Sequence, residues 1–400
     1  MSSLVPTIGE PAAAARSQSY GAIVWRQLRR RPAAMISMAV ILVLIFLAVV
    51  APFIAGDVPI RWVENGHASW PIFHYLTNAE YSAMVAFLLG ITLPLRARLM
   101  RRWAERKGGS AMVRAIVVSL GAWVVVTGLF LAFHTPERRY GFFLERRDQA
   151  ESAWFPPIAT PHNPGYEALA QRDQWPSWQH PLGTDRLGED VVLRVLYGAR
   201  TAMAIGFVAV GIGSFIGISL GSISGYFGRG IDLVLMRIAE IFMFLPTLIL
   251  IIIILTVIPS WVPALWAVVG VIGVTGWTGS YRLMRAELLR IRGEDYITAA
   301  RALGIPTWRL LLRHAIPNGL APILVGATFG IAGAVFLEVT LAFLSLVSTP
   351  SWGELLNDGR QHTATWWVWG AAGAAIFVTV LVYNLLGEAV RDAIDPKLKI

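Results

Sequence analysis

The sequence contains no cysteine, which excludes a disulfide framework and any thiolate metal site. Charge is also scarce. Asp, Glu, Lys and Arg make up 15% of the chain, against about 25% in an ordinary soluble domain. Acids are the scarcer sign, 25 against 34 Lys and Arg, which leaves a formal charge of +9. Catalytic signatures are missing too. No GxxxxGK[ST] is present, so the chain does not cradle nucleotide phosphates itself, and HExxH and EF-hand loops are absent. The seven histidines (67, 74, 134, 162, 180, 314 and 362) are scattered, with none at metal-ligand spacing on one helix. No catalytic residue, metal site or cofactor site is assigned to this chain.

What is abundant is apolar. Hydrophobic residues make up 56% of the chain and mean hydropathy is +0.58, the composition of an all-α polytopic membrane bundle. In such a chain the basic excess marks cytoplasmic loops facing anionic lipid, not nucleic acid. A tail, 1–32, ends in the basic collar WRQLRRRP and sets the N-terminus in the cytoplasm. The first span, 33–55, is too long for a signal-peptide core. The inserted region 56–135 holds two apolar runs, 80–95 and 111–133, flanking RARLMRRWAERK (96–107), with six basic residues against Glu105. The first run is short, so it either spans the bilayer or re-enters it. Residues 136–198 form an extracytoplasmic loop with Trp154, Trp175, Trp178 and many prolines. The region 199–390 carries five more spans, at 202–222, 233–258, 262–289, 319–347 and 366–386, before a cytoplasmic tail, 391–400. Gly213, Gly217 and Gly221 fall on one helix face and permit tight contact with a neighbour. Pro246 kinks its span. Residues 348–361 read as a short polar connection on the outer side. Six core spans plus the inserted pair make about eight. Both termini and the 290s loop then lie inside.

That loop, EDYITAARALGIPTWRLLLRHAIPN (294–318), is polar and sits between two apolar runs. It reads as two short helices with a break. Tyr296, Ala299, Ala300 and Leu303 share one face of the first, and Gly304 ends it in a left-handed conformation before Pro306. Trp308, Leu311, Leu312 and Ala315 share a face of the second, with Arg309 and Arg313 on another. Such a pair suits either lipid headgroups or a soluble partner. Besides Glu287, which lies near Arg285 and has a structural role, two acids lie within the core spans. Glu240 follows Arg237 by three residues and pairs with it locally. Glu338 has no base within a turn, and faces the bundle interior, a water-filled path or a partner chain. Asp185, Glu189 and Asp190 cap and orient the helix that follows them.

Several segments resemble one family: HPLGTD (180–185), LYGAR (196–200), GYFG (225–228), RAELL (285–289), AARALG (299–304), RHAIPN (313–318), PSWG (350–353) and RDAIDP (391–396). Together they are similar to the C-type permease subunit of dipeptide and oligopeptide ABC importers, whose relatives also carry nickel. The sequence departs from the family's loop pattern at Thr298, where Glu is usual, and His314, where Ile is frequent. The inserted pair is not part of the family's plan. The resemblance implies a type I ABC importer permease fold in the bacterial inner membrane, forming half of a peptide path. The 294–317 segment would be the ATPase-coupling element, through Tyr296, Thr298, Ala299, Ala300, Arg301, Gly304, Arg309, Arg313 and Pro317. Implied partners are a B-type permease, two ATPase subunits that bind ATP and Mg, an extracytoplasmic binding protein, and lipid. Import of nickel or another small solute is the alternative within this class. An ion-gradient secondary transporter, with Glu338 as its one midplane candidate, is the alternative outside it.

Overall fold

The computed structural model describes residues 20–98, 118–119, 122–123, 142–158, 172–259, 261–347 and 349–394. Among them, five helical stretches are long and apolar enough to cross a bilayer, and a sixth forms if one bent pair is counted as a single span. These match the six core spans expected from hydropathy. The second inserted run, 111–133, lies outside the described residues apart from four positions. The first is a helix of 14 residues, about 21 Å long and short of the ~30 Å hydrocarbon core.

The chain opens with α1 (Tyr20–Arg29) and the first span, α2 (Pro32–Ile54), which starts with proline at its first position, where the missing N–H costs nothing. A small antiparallel sheet follows, order β2-β1-β3, from β1 (Arg61–Glu64), β2 (His67–Ser69) and β3 (Ser152–Trp154). Sequence reading placed no strands here. α3 (Pro71–Tyr75) leads to α4 (Asn78–Ile91), the first inserted helix, which begins with a capping box between Thr77 and Glu80. Glu80 also pairs with Arg200, so the insert is tied to the core rather than hung beside it.

The core begins at α5 (Val191–Ala204), capped by Asp190, and runs through a π-helical turn into α6 (Val210–Phe227). Then come α7 (Arg229–Phe244) and α8 (Thr247–Val257), bent by 91° at Leu245-Pro246. The Pro246 kink is thus a corner. α9 (Ala264–Thr275) and α10 (Trp277–Ile291) form the next span. After the polar loop, α13 (Ile316–Phe343) is the fifth, and α15 (Trp366–Ile394) is the last.

Helices α6 and α10 pack backbone to backbone. A Cβ on Gly217 would lie 2.6 Å from the Trp277 carbonyl oxygen, and one on Gly221 would lie 2.7 Å from that of Tyr281. The glycine face is therefore the seam between these two spans. The expected polar connection at 348–361 is in fact a helix, α14 (Trp352–Gln361), capped by Ser351. Its Trp352 is fully buried and donates to the Val195 carbonyl at 2.9 Å.

Candidate functional site

The 294–318 loop folds as a projecting knob. α11 (Asp295–Ala302) ends in a glycine cap. Gly304 has φ +73, its N–H reaches the Arg301 carbonyl at 2.9 Å, and the Ile305 N–H reaches that of Ala300 at 3.2 Å. Pro306 then starts α12 (Thr307–Leu310), which passes through a π-helical turn, Leu311–Ala315, into α13. The break is where the sequence placed it.

The face that packs on the spans is not the one the apolar spacing picks out. Ile297, Leu310 and Ala315 are fully buried and pack with Met284, Leu288 and Ile291 of α10. Ala300 and Ile305 support them. Tyr296 and Ala299 face outward, as do Leu303 (81% exposed), Trp308 (61%) and Leu312 (62%). The short helices are apolar on two sides. Periodicity picks out one side, and Ile297 on another side packs against the ends of the spans. What remains is an exposed apolar surface on a firmly seated base.

The other coupling candidates decorate the same knob. Thr298 is exposed and its hydroxyl bonds back to the Glu294 carbonyl at 3.4 Å. The Arg301 guanidinium lies over the Tyr226 ring, and Arg309 lies over that of Trp308. Arg313 and Pro317 are exposed, and Asn318 donates to the Tyr296 hydroxyl at 3.3 Å. Arg290 braces the entry through Glu287 and Glu294, each at 3.0 Å.

Glu338 stands apart. It is 2% exposed, near the opposite end of α13, about 31 Å of helix from Pro317. Thr349, Ser351 and Glu354 surround it, and one carboxylate oxygen lacks a hydrogen-bond partner. Glu240 pairs with Arg237 at 2.7 Å, as expected.

A cluster that sequence reading missed lies where the 185–190 turn meets α14. Arg194, 8% exposed, reaches Asp185 at 2.6 Å and Asp358 at 2.7 Å, with Glu189 at 3.5 Å and Glu354 at 3.7 Å. Asp185 also accepts from the N–H groups of Leu187 and Glu189, and Asp190 caps α5 while pairing with His180 at 2.9 Å. The capping roles expected for these acids are present. Added to them is a clasp joining the 185–190 turn to α14. Burial, opposed by Arg194, pushes the Glu189 carboxyl up to about 7. Burial likewise raises Glu354. Arg194 gave no signal in the sequence beyond standing one turn after Asp190.

Comparison with known proteins places these features in a family. Residues 217–400 match the binding-protein-dependent transport system inner membrane component, and residues 19–63 match the N-terminal TM domain of oligopeptide transport permease C. The dipeptide transport system permease protein DppC of Alkalihalophilus pseudofirmus is 38% identical over 62% of this chain and 82% of its own. The oligopeptide transport system permease protein OppC of Bacillus subtilis is 35% identical over 62% and 81%. A solved structure of the MetNI methionine ABC transporter, in inward-facing conformations, is 17% identical, with a TM-score of 0.45 over 52% of this chain and 99% of that one. Residues 64–216, with the inserted helix, fall between the two family matches. With relatives of this identity covered over most of their length, the chain belongs to the family of dipeptide and oligopeptide ABC importer permeases, multi-pass components of the inner membrane.

Proposed function

We propose that this chain forms one half of the translocation path of an ATP-driven peptide importer. Its knob, residues 294–317, seats in a separate ATPase subunit on the cytoplasmic side. The observation that carries this reading is the exposed apolar surface of Tyr296, Leu303, Trp308 and Leu312 on a base fixed by Ile297 and Leu310. Isolated exposed apolar residues need no explanation, but four of them within one short charged loop fit a protein partner. The small residues Ala299, Ala300 and Gly304 let a partner backbone come close.

The chain supplies a lever and a wall. ATP and Mg would be bound by two ATPase subunits, which perform the hydrolysis. A B-type permease would complete the channel, and an extracytoplasmic binding protein would deliver the peptide. A cavity of about 290 Å³ between α6, α9, α10 and α13, lined by Gly213, Ser214, Thr275, Gly279, Ser280 and Gly330, would form part of the wall. It has no charged lining, which suits cargo of varied side chains. Glu338 would lie at the outer end of this path or at the seam with the second permease. A Glu338→Gln variant that assembles and transports fully would remove it from the path.

The absence of native cysteine makes the main test clean. Ala300→Cys, as the sole thiol, should cross-link to an ATPase subunit in membranes. It should also react with a thiol reagent only from the cytoplasmic side. Reaction from the outer side, or no nucleotide-hydrolysing protein captured, sinks the reading. Uptake of labelled dipeptides against nickel would then decide the cargo.

A further inference from the structure

The turn between α6 and α7 touches the knob from a third direction. Tyr226, in the last turn of α6, leads into it, and its ring centroid is 4.8 Å from the guanidinium carbon of Arg301 in α11. The Arg301 Nε also donates to the Tyr226 hydroxyl at 3.1 Å. The pair is 75 residues apart in sequence.

The turn is itself held at its far end. Asp232, in the first turn of α7, accepts both Nε and Nη2 of Arg285 from α10, the latter at 2.6 Å. Such a two-pronged contact fixes direction as well as distance. Ser224 donates to the same carboxylate, and its oxygen lies 3.0 Å from the Tyr281 hydroxyl. Between these points, Gly228 and Arg229 take successive positive φ values of 64° and 50°. For Arg229 that conformation is strained and persists only where the surroundings enforce it. The corner is therefore set rather than slack.

These contacts close a triangle. One side is α10 running into the knob. The second runs from Arg301 to Tyr226. The third returns from Asp232 to Arg285. Apolar packing already seats the knob on α10 and against Ile218 of α6, and the second side adds to it a directional polar contact. With it, a displacement of α11 also bears on α6 and α7.

We propose that Tyr226 is a positioning residue for coupling: a strut that delivers movement of the knob to α6 and α7 together with α10 and α13. This rests on the reading of 294–317 as the coupling element and adds a load path to it.

The test uses the complete importer, with its second permease, ATPases and binding protein, in proteoliposomes. The readout is labelled dipeptide imported per ATP hydrolysed. Tyr226→Ala is expected to raise the ATP spent per peptide about threefold, the size of one lost cation–π contact at a half-exposed site. Co-purification of the ATPase should be unchanged. Tyr226→Phe keeps the ring beneath Arg301 and should recover most of the ratio. Combining Tyr226→Ala with Arg301→Ala should be no worse than the poorer single variant, because the two act through each other. A wild-type ratio in Tyr226→Ala overturns the strut. If that variant fails to assemble, Tyr226→Leu fills the same space without a π face. It should show the same rise, and a wild-type ratio there overturns the proposal equally. Cross-linking from Ala300→Cys separates the two levels. Capture of the ATPase with an unchanged ratio sinks the strut alone, whereas loss of capture in the otherwise native chain sinks the coupling reading beneath it.

Discussion

Arg194 and Asp358 stand 164 positions apart in sequence and share a 2.7 Å hydrogen bond. Through it the start of α5 and α14 become one unit. The same guanidinium neutralises Asp185 and faces Glu189 and Glu354. Removing it would leave four carboxylates facing one another, with Arg186 as the nearby base, 3.5 Å from Asp358. Arg194→Met is therefore expected to cost about 3–5 kcal/mol. The loss should concentrate in α14 and the 185–190 turn, seen as faster amide exchange in those segments of the detergent-solubilised protein.

The same clasp should respond to pH. Glu189 is raised from 4.5 to about 7 by burial. The folded state then holds a proton that the unfolded state has released between those two values. Stability falls as pH rises from 4.5 to 7, and the full penalty persists above 7. Glu189→Gln removes the penalty while Arg194 keeps Asp185 and Asp358. The variant should be more stable than the native chain at pH 8, by on the order of 2 kcal/mol, and indistinguishable from it near pH 4. Thermal melts at the two pH values check both halves.

At the seam between α6 and α10 there is no room for a side chain at Gly221, where the nearest atom is a backbone oxygen. Backbone cannot swing aside as a flexible side chain can. Gly221→Ala should cost about 1–3 kcal/mol, and Gly221→Leu should abolish the folded protein in membranes. At Gly270 nothing lies within 4 Å, so Gly270→Ala should fold normally. Fluorescence-detected size-exclusion profiles would separate the three.

Trp308 and Leu303 offer the opposite case, being exposed and anchored to nothing in this chain but the knob itself. Replacing both with Glu should leave melting unchanged within about 0.5 kcal/mol. ATPase binding should weaken at least tenfold, as loss of one central aromatic contact does at protein interfaces. Pull-down of the ATPase at graded concentrations measures it.

Much of this was readable from the residues, and the reason is local physics. The spans announce themselves by apolar length, and Gly304 before Pro306 marks the corner of the knob. The glycines at every fourth position mark a close seam, although not which partner they meet. What escaped reading depends on partners remote in sequence. β1 pairs with β3 through Arg61 and Trp154, and strands of three or four residues carry no period. Arg194 looks like any basic residue in a helix until α14 folds across it. α14 itself could have been found, since Ser351 three places before Glu354 is a helix-start signal. The inward face of α11 could not, because only its neighbours distinguish Ile297 from Leu303.

The corner at Leu245-Pro246 has a consequence for the cell. A helix that stops there leaves the last carbonyls of α7 without successors to bond them, and Phe244 is left bare. Hydrocarbon offers such groups no hydrogen bonds, so a neighbouring polypeptide must shelter them. A lone copy inserted without that neighbour should be short-lived, a substrate for membrane proteases. Its abundance should follow the synthesis of its companion rather than its own.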